Sequence, residues 1–183
     1  GPDGNLECGI SIGGSDIINL DSLVTITSIG GGLFIGGNDS LTSLAGLENL
    51  SLIDGGLAIG QSANMFSFGN PLLVSLEELS NLTTVGGSIT IEHNTSLNSL
   101  EGLEGITSIN GDLRIGYNGL SNLVGLDSLT SIEGSLEFWN EDFINLTGLD
   151  NLTSIGGEFI IESTDLENLI ALQNLNSIGG RLN

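Results

Sequence analysis

Apolar residues along this chain fall into two alternating patterns. One is a row of five spaced three apart; the other is an apolar-x-apolar pair. Ile17, Leu20, Leu23, Ile26 and Ile29 make such a row, followed by Leu33 and Ile35. Leu97, Leu100, Leu103, Ile106 and Ile109 make another, followed by Leu113 and Ile115. Seven rows can be written this way, ending at Ile29, Ile53, Val85, Ile109, Ile132, Ile155 and Ile178, which lie 24, 32, 24, 23, 23 and 23 residues apart. The apolar-x-apolar pair has period two, the mark of a short strand with one buried face. A spacing of three suits neither a long α-helix nor a strand, and fits short 3-10 turns and arcs. One unit cannot bury its apolar side alone, so the units must stack. The pattern predicts a mainly β chain: a right-handed parallel β-solenoid of about seven coils of 23–24 residues, with short 3-10 turns.

The spacing of 32 marks an insertion, residues 61–70, carrying Met65, Phe66 and Phe68. These side chains are expected either to form a lip beside a binding surface or to fold back and plug the longer coil. Glycine pairs between row and strand, as in Ile155-Gly156-Gly157, are expected to supply positive φ at a tight bend. Asn38, Asn94 and Asn118 stand three residues past the last apolar residue of a strand, where an amide can satisfy the bend. Ser15, Ser62, Glu141 and Thr164 take that place elsewhere, so an asparagine ladder is expected to be broken. The column Ser28, Thr84, Ser108, Ser131, Ser154 and Ser177 is expected to bond in a similar way. No shift in composition divides residues 3–183, which read as one domain. Gly1-Pro2 has the look of a remnant of a cleaved tag.

Charge narrows the function. With 23 acidic residues, 2 basic ones and a net charge of −21, the chain cannot neutralise a phosphate backbone or an anionic membrane. No apolar run approaches the roughly 18 residues of a membrane span, so no membrane insertion is expected. The lone Cys8 cannot form an internal disulfide, and the lone His93 has no partner for a His-pair metal motif.

The "L-x-L-x-x-N" spacing resembles leucine-rich repeats. The glycine pair in "LTSIGGEFII" and "LTTVGGSITI" resembles the receptor L-domain family more closely. That family includes the ligand-binding ectodomain halves of insulin- and EGF-type receptors, fungal cell-wall proteins and bacterial surface proteins. The resemblance extends over residues 9–183. It implies a secreted or cell-surface recognition domain without catalysis, and a protein or glycan as its partner. The cysteine framework of the family is missing, and the chain stops inside a strand. That open end is expected to continue into further coils, to have lost a cap, or to pair edge to edge with another copy.

The repeat also maps the solvent face of the sheet: the middle residue of each apolar-x-apolar pair and the two residues that follow. These positions hold the only Trp, the only Tyr, the only His and one of the two Arg. The first three coils offer Gly, Ala and Ser there, with Phe34 and Gln61 the exceptions. Coils four to seven offer Thr90, Glu92, His93, Arg114, Tyr117, Glu137, Trp139, Asn140 and Glu162, and these are the expected ligand-binding residues. Trp139 and Tyr117 provide flat amphipathic faces. Arg114 suits a carboxylate of the ligand, or else pairs with Glu92 or Glu137 in the same chain. A glycosidase reading of the glutamates is disfavoured because Glu92 and Glu162 share a column that Glu137 does not.

Two further readings are weighed. Thr27, Ser51, Thr83, Thr107, Thr130, Thr153 and Asn176 form a nearly regular column that would suit ice or a mineral, unless the hydroxyls satisfy turn backbone. Glu141, Asp142, Asp165 and Glu167 gather carboxylates that would suit Ca in a structural repeat of a large surface protein, without a DxDxDG-type spacing. No cofactor is expected otherwise.

Overall fold

A computed structural model describes residues 4–63, 66–67, 69–139, 141–162 and 165–182, with the side chains of 62–67 left aside. Among the described residues, the apolar-x-apolar pairs become β1 (Ile10–Ile12), β2 (Leu33–Ile35), β3 (Leu57–Ile59), β4 (Ile89–Glu92), β5 (Leu113–Gly116), β6 (Leu136–Trp139) and β7 (Phe159–Glu162). They form one parallel sheet whose spatial order is their chain order. Each strand pairs in register with its counterpart one coil away, so equivalent residues stack in columns. A second row of two-residue strands, such as Ser131–Ile132 and Ser154–Ile155, pairs in parallel at the row ends. This is the β-solenoid read from the repeat, with one coil for each row-and-strand unit.

The apolar rows and strand residues point inward to one continuous core. Leu44, Leu100, Leu123, Ile109 and Ile132 are essentially inaccessible. Each buried side chain of this size contributes roughly 1.5–3 kcal/mol, which no single coil could collect alone.

Two devices bend the coils. Gly125, at φ 109, lies against the Leu100 carbonyl where a Cβ would collide. Its N–H donates to Asp127 Oδ2 over 2.9 Å. Glu48, Glu104 and Asp150 accept from Gly46, Gly102 and Gly148 in the same way. That bond from the Gly46 N–H holds the Glu48 carboxyl below its ordinary value. Ser22, Glu78 and Ala171 take the glycine's place in other coils. There the chain tightens into 3-10 turns at Asp21–Leu23, Glu77–Leu79 and Ile170–Leu172.

The glycine pairs between row and strand serve a different purpose from the one expected. None of Gly30, Gly31, Gly86, Gly87, Gly156 or Gly157 has positive φ. Their missing side chains let coil backbones touch: a Cβ on Gly87 would lie 2.9 Å from the Gly56 nitrogen, and one on Gly157 would lie 2.8 Å from the Gly134 carbonyl carbon.

The asparagine ladder is also more continuous than expected. Asn70, at the end of the insertion, occupies the place assigned to Ser62. Asn38 donates to Asn70 (2.8 Å), Asn70 to Asn94 (2.9 Å), Asn94 to Asn118 (3.1 Å) and Asn118 to Glu141 (2.8 Å), each through Nδ2. The second amide proton of Asn38, Asn70, Asn94 and Asn118 reaches a strand-end carbonyl: Ile12, Ile35, Ile59 and Ile91. A carboxylate only accepts, so Glu141 is a chemically suitable last member. Burial pushes its carboxyl above the ordinary value, against the bonds it accepts from Asn118 and the Leu120 N–H.

The insertion leaves the coil as a small antiparallel hairpin, Ser62–Ala63 against Phe66–Ser67. Met65 and Phe68 lie outside the described residues. The chain rejoins the coil where Gly69 accepts from the Gly37 N–H and lies against the His93 carbonyl.

Candidate functional site

The exposed face of β4, β5 and β6 carries a cavity of about 440 Å³ lined by Gln61, Thr90, Glu92, Arg114, Tyr117 and Trp139. Its origin is a single register column. Glu92 pairs with Gly116, and Gly116 with Trp139. Gly116 contributes no side chain, so a gap opens between a carboxylate and an indole two strands apart, roughly 10 Å. Trp139 leans over this gap: a Cβ on Gly116 would lie 3.3 Å from the Trp139 Cβ and 3.6 Å from its Cε3.

Arg114 forms the wall behind. Its Nη2 lies 2.8 Å from Asp112 Oδ2 and its Nε donates to Glu137 Oε2 over 3.2 Å. Of the two intramolecular partners expected for Arg114, the structure selects Glu137 and adds Asp112, which sequence reasoning missed. Asp112 also accepts from the Ser135 N–H, so its carboxylate is anchored to the next coil. Glu92, read as a solvent-facing residue, is in fact 7% exposed. Its side chain points outward by alternation, as expected, but the layer around the gap covers it.

Tyr117 closes the front. It and His93 occupy the bend position where coil two has Gly37. Tyr117 at φ 59 and His93 at φ 60 hold left-handed backbone, which costs a non-glycine residue roughly 1–2 kcal/mol. The conformation aims the His93 N–H at the Gly116 carbonyl (3.0 Å) and the Tyr117 N–H at the Trp139 carbonyl (3.1 Å). The two rings stack with centroids 4.6 Å apart and planes 8° from parallel. His93 Nε2 is buried without a hydrogen-bond partner among the described residues. Tyr117 remains 43% exposed.

The expected site residues therefore divide. Thr90, Glu92, Arg114, Tyr117 and Trp139 meet around one cavity. His93 supports it through Tyr117, and Glu137 supports it through Arg114. Glu162 is exposed beside Trp139 in register, beyond the cavity's lining. Asn140 lies outside the described residues. Gln61, a sheet-face position of coil three outside the expected binding set, completes the lining. A neighbouring cavity of about 500 Å³ continues across β1–β3, sharing Gln61, Thr90 and Arg114 and otherwise edged by Gly, Ser and Ala residues, Phe34 and the strand residues Ile10, Leu33 and Leu57.

The other weighed columns have structural partners. Ser51, Thr83, Thr130 and Thr153 donate their hydroxyl protons to the carbonyl one coil back, at Thr27, Ser51, Thr107 and Thr130. This is the alternative weighed for that column, whose hydroxyls satisfy turn backbone. Glu141 is turned into the asparagine ladder, away from the grouping proposed with Asp142, Asp165 and Glu167. Among the described residues, no three His, Cys, Asp or Glu side chains converge.

The family model for the receptor L domain matches residues 3–102 and 130–183, most of the chain. The chain belongs to the receptor L-domain family. The cavity of this L domain draws on both matched segments and on the stretch between them, since Arg114 and Tyr117 fall outside the match. No curated protein and no solved structure matches the chain. The family is a non-enzymatic ligand-binding one found in extracellular receptor regions. Among the described residues, no helix is long and apolar enough to cross a membrane.

Proposed function

We propose that this L domain is an extracellular recognition module that binds a protein ligand on the exposed face of β4–β6. The observation that carries the reading is the cavity over Gly116, walled by Glu92, Arg114, Tyr117 and Trp139. Two features of that wall go beyond what the coil requires. Tyr117 holds left-handed backbone where a glycine would be unstrained, yet leaves much of its ring in solvent. Trp139 is a large aromatic placed on an open sheet face, the kind of anchor that dominates interfaces. In this reading residues 3–183 act as one unit, and the small-residue half of the sheet gives an extended ligand room to continue.

A displayed random-peptide library tests this. Peptides selected on the wild-type domain are expected to lose at least tenfold in affinity on Trp139→Ala, and to keep it on Thr130→Ala, a remote exposed control. Peptides that bind both variants equally, or a panel of polysaccharides that binds at Trp139 when peptides do not, would sink the protein-ligand reading.

A further inference from the structure

We infer that the cavity over Gly116 is an anchor pocket for a basic side chain, an arginine or lysine, presented by the ligand. The inference rests on the proposed binding face and names the chemistry at its centre.

Charge balance comes first. Arg114 is the cavity's only basic residue, and it lies within bonding distance of two carboxylates, Asp112 and Glu137. Glu92 adds a third carboxylate on the opposite wall. Within the lining Glu92 and Arg114 balance, and the two carboxylates that hold Arg114 from just outside it make the surroundings net negative, in a chain of net charge −21. An anionic ligand group would find the guanidinium already engaged and would approach a surplus of carboxylates. A cation meets the reverse: the field draws it in from a distance.

Shape comes second. The cavity has the Glu92 carboxylate on one side and, on the other, the Trp139 indole, which lies over the Gly116 backbone. A flat guanidinium or an ammonium seated there can meet Glu92 while lying against Trp139, and Trp is the best aromatic partner for a cation. The aliphatic stem of the same residue would cross the exposed Tyr117 ring. A neutral sugar can stack on Trp139, but it gains nothing from the carboxylate surplus.

The test uses the full chain, labelled with ¹⁵N, at low ionic strength. The probes are acetyl-Gly-Arg-Gly-amide and the same peptide with citrulline or glutamate in place of arginine. Citrulline keeps the planar shape and removes the charge. The expected result is a saturable shift of the Gly116 N–H and Trp139 indole N–H signals with the arginine peptide alone. Glu92→Gln should weaken that binding at least tenfold, and Trp139→Phe should weaken it less than Trp139→Ala. Spectra of each variant away from β4–β6 report whether it remains folded. Equal shifts with citrulline would overturn the inference. So would shifts scattered over the acidic turns at Glu48, Glu104 and Asp127, which would mark diffuse attraction to the whole chain. In either case, selected peptides that still depend on Trp139 but lack a basic residue would leave the binding face standing without its cationic anchor.

Discussion

Tyr117 and His93 show how much one bend position can reveal. A solenoid bend needs left-handed backbone there, and glycine is the residue that supplies it without strain. Two aromatic residues occupy it instead, and their rings stack across neighbouring coils. The stack is worth about 0.5–1.5 kcal/mol, close to the strain of roughly 1–2 kcal/mol that each residue bears. Tyr117→Gly should therefore change unfolding free energy by less than about 1 kcal/mol, since strain relief and lost stacking oppose each other. Urea denaturation measures this. A loss of about 3 kcal/mol or more would make Tyr117 a structural pin. The identities of the face-bearing residues were legible from alternation alone. That Glu92 is covered was not, nor which carboxylates hold Arg114: Glu137 was one of two alternatives and Asp112 was missed, because alternation does not say how side chains settle against their neighbours.

At the scale of an element, the ladder from Asn38 to Glu141 shows the same division. Three of its asparagines stand at a constant offset from their strands, whereas Asn70 hides behind an insertion that shifts the count. Only the folded coil shows that the chain returns to the same place after the hairpin. Asn94→Ala would strand the buried N–H groups of Asn70 and the Ile59 carbonyl, while the Asn118 side-chain oxygen would keep the bond from the backbone N–H of residue 94. It should cost about 3 kcal/mol or more, whereas Thr130→Ala, which removes one exposed hydroxyl bond, should cost about 1 kcal/mol or less. A denaturant series on both variants checks the contrast.

Glu141 gives the ladder a pH dependence. Its raised carboxyl contributes stability that is fully present below the unfolded value and is lost as pH rises through the folded one. Glu48 has the opposite sign: its lowered carboxyl contributes above the unfolded value, and that contribution is lost as pH falls through the folded one. Relative to Glu141→Gln, the wild-type chain should gain stability as pH drops from about 7 to about 4. Denaturation midpoints of the pair at both pH values measure it, and a constant difference would show that burial does not disfavour the Glu141 carboxylate.

At the scale of the molecule, a charge of −21 on one stacked core means that every coil repels its neighbours. The Debye length falls from about 30 Å at 0.01 M salt to about 8 Å at 0.15 M. Raising sodium chloride across that range should raise the thermal midpoint by several degrees, as about 1–2 kcal/mol of repulsion is screened. An unchanged midpoint would mean that the acidic groups, of which Glu48, Glu104, Asp127 and Asp150 are tied to glycine N–H donors, contribute little net repulsion. Binding of the basic peptide should weaken over the same range, the signature of an electrostatically guided contact.

The amino-acid sequence by itself determined the coil. Strand, row and bend each have a local period, and backbone geometry translates a period of two or three directly into strand or turn. It also placed Thr90, Arg114, Glu137 and Trp139 on the outer side of the sheet, since alternation along a strand needs no knowledge of the neighbouring coil. The tertiary structure alone decided what those residues do. Asn70 enters the ladder, the glycine pairs serve contact instead of φ, Asp112 holds Arg114, and Gly116 opens the cavity. Apart from Asp112 and Arg114, which share a coil, each is a relation between residues 23 to 32 positions apart that exists only after the coils stack in register.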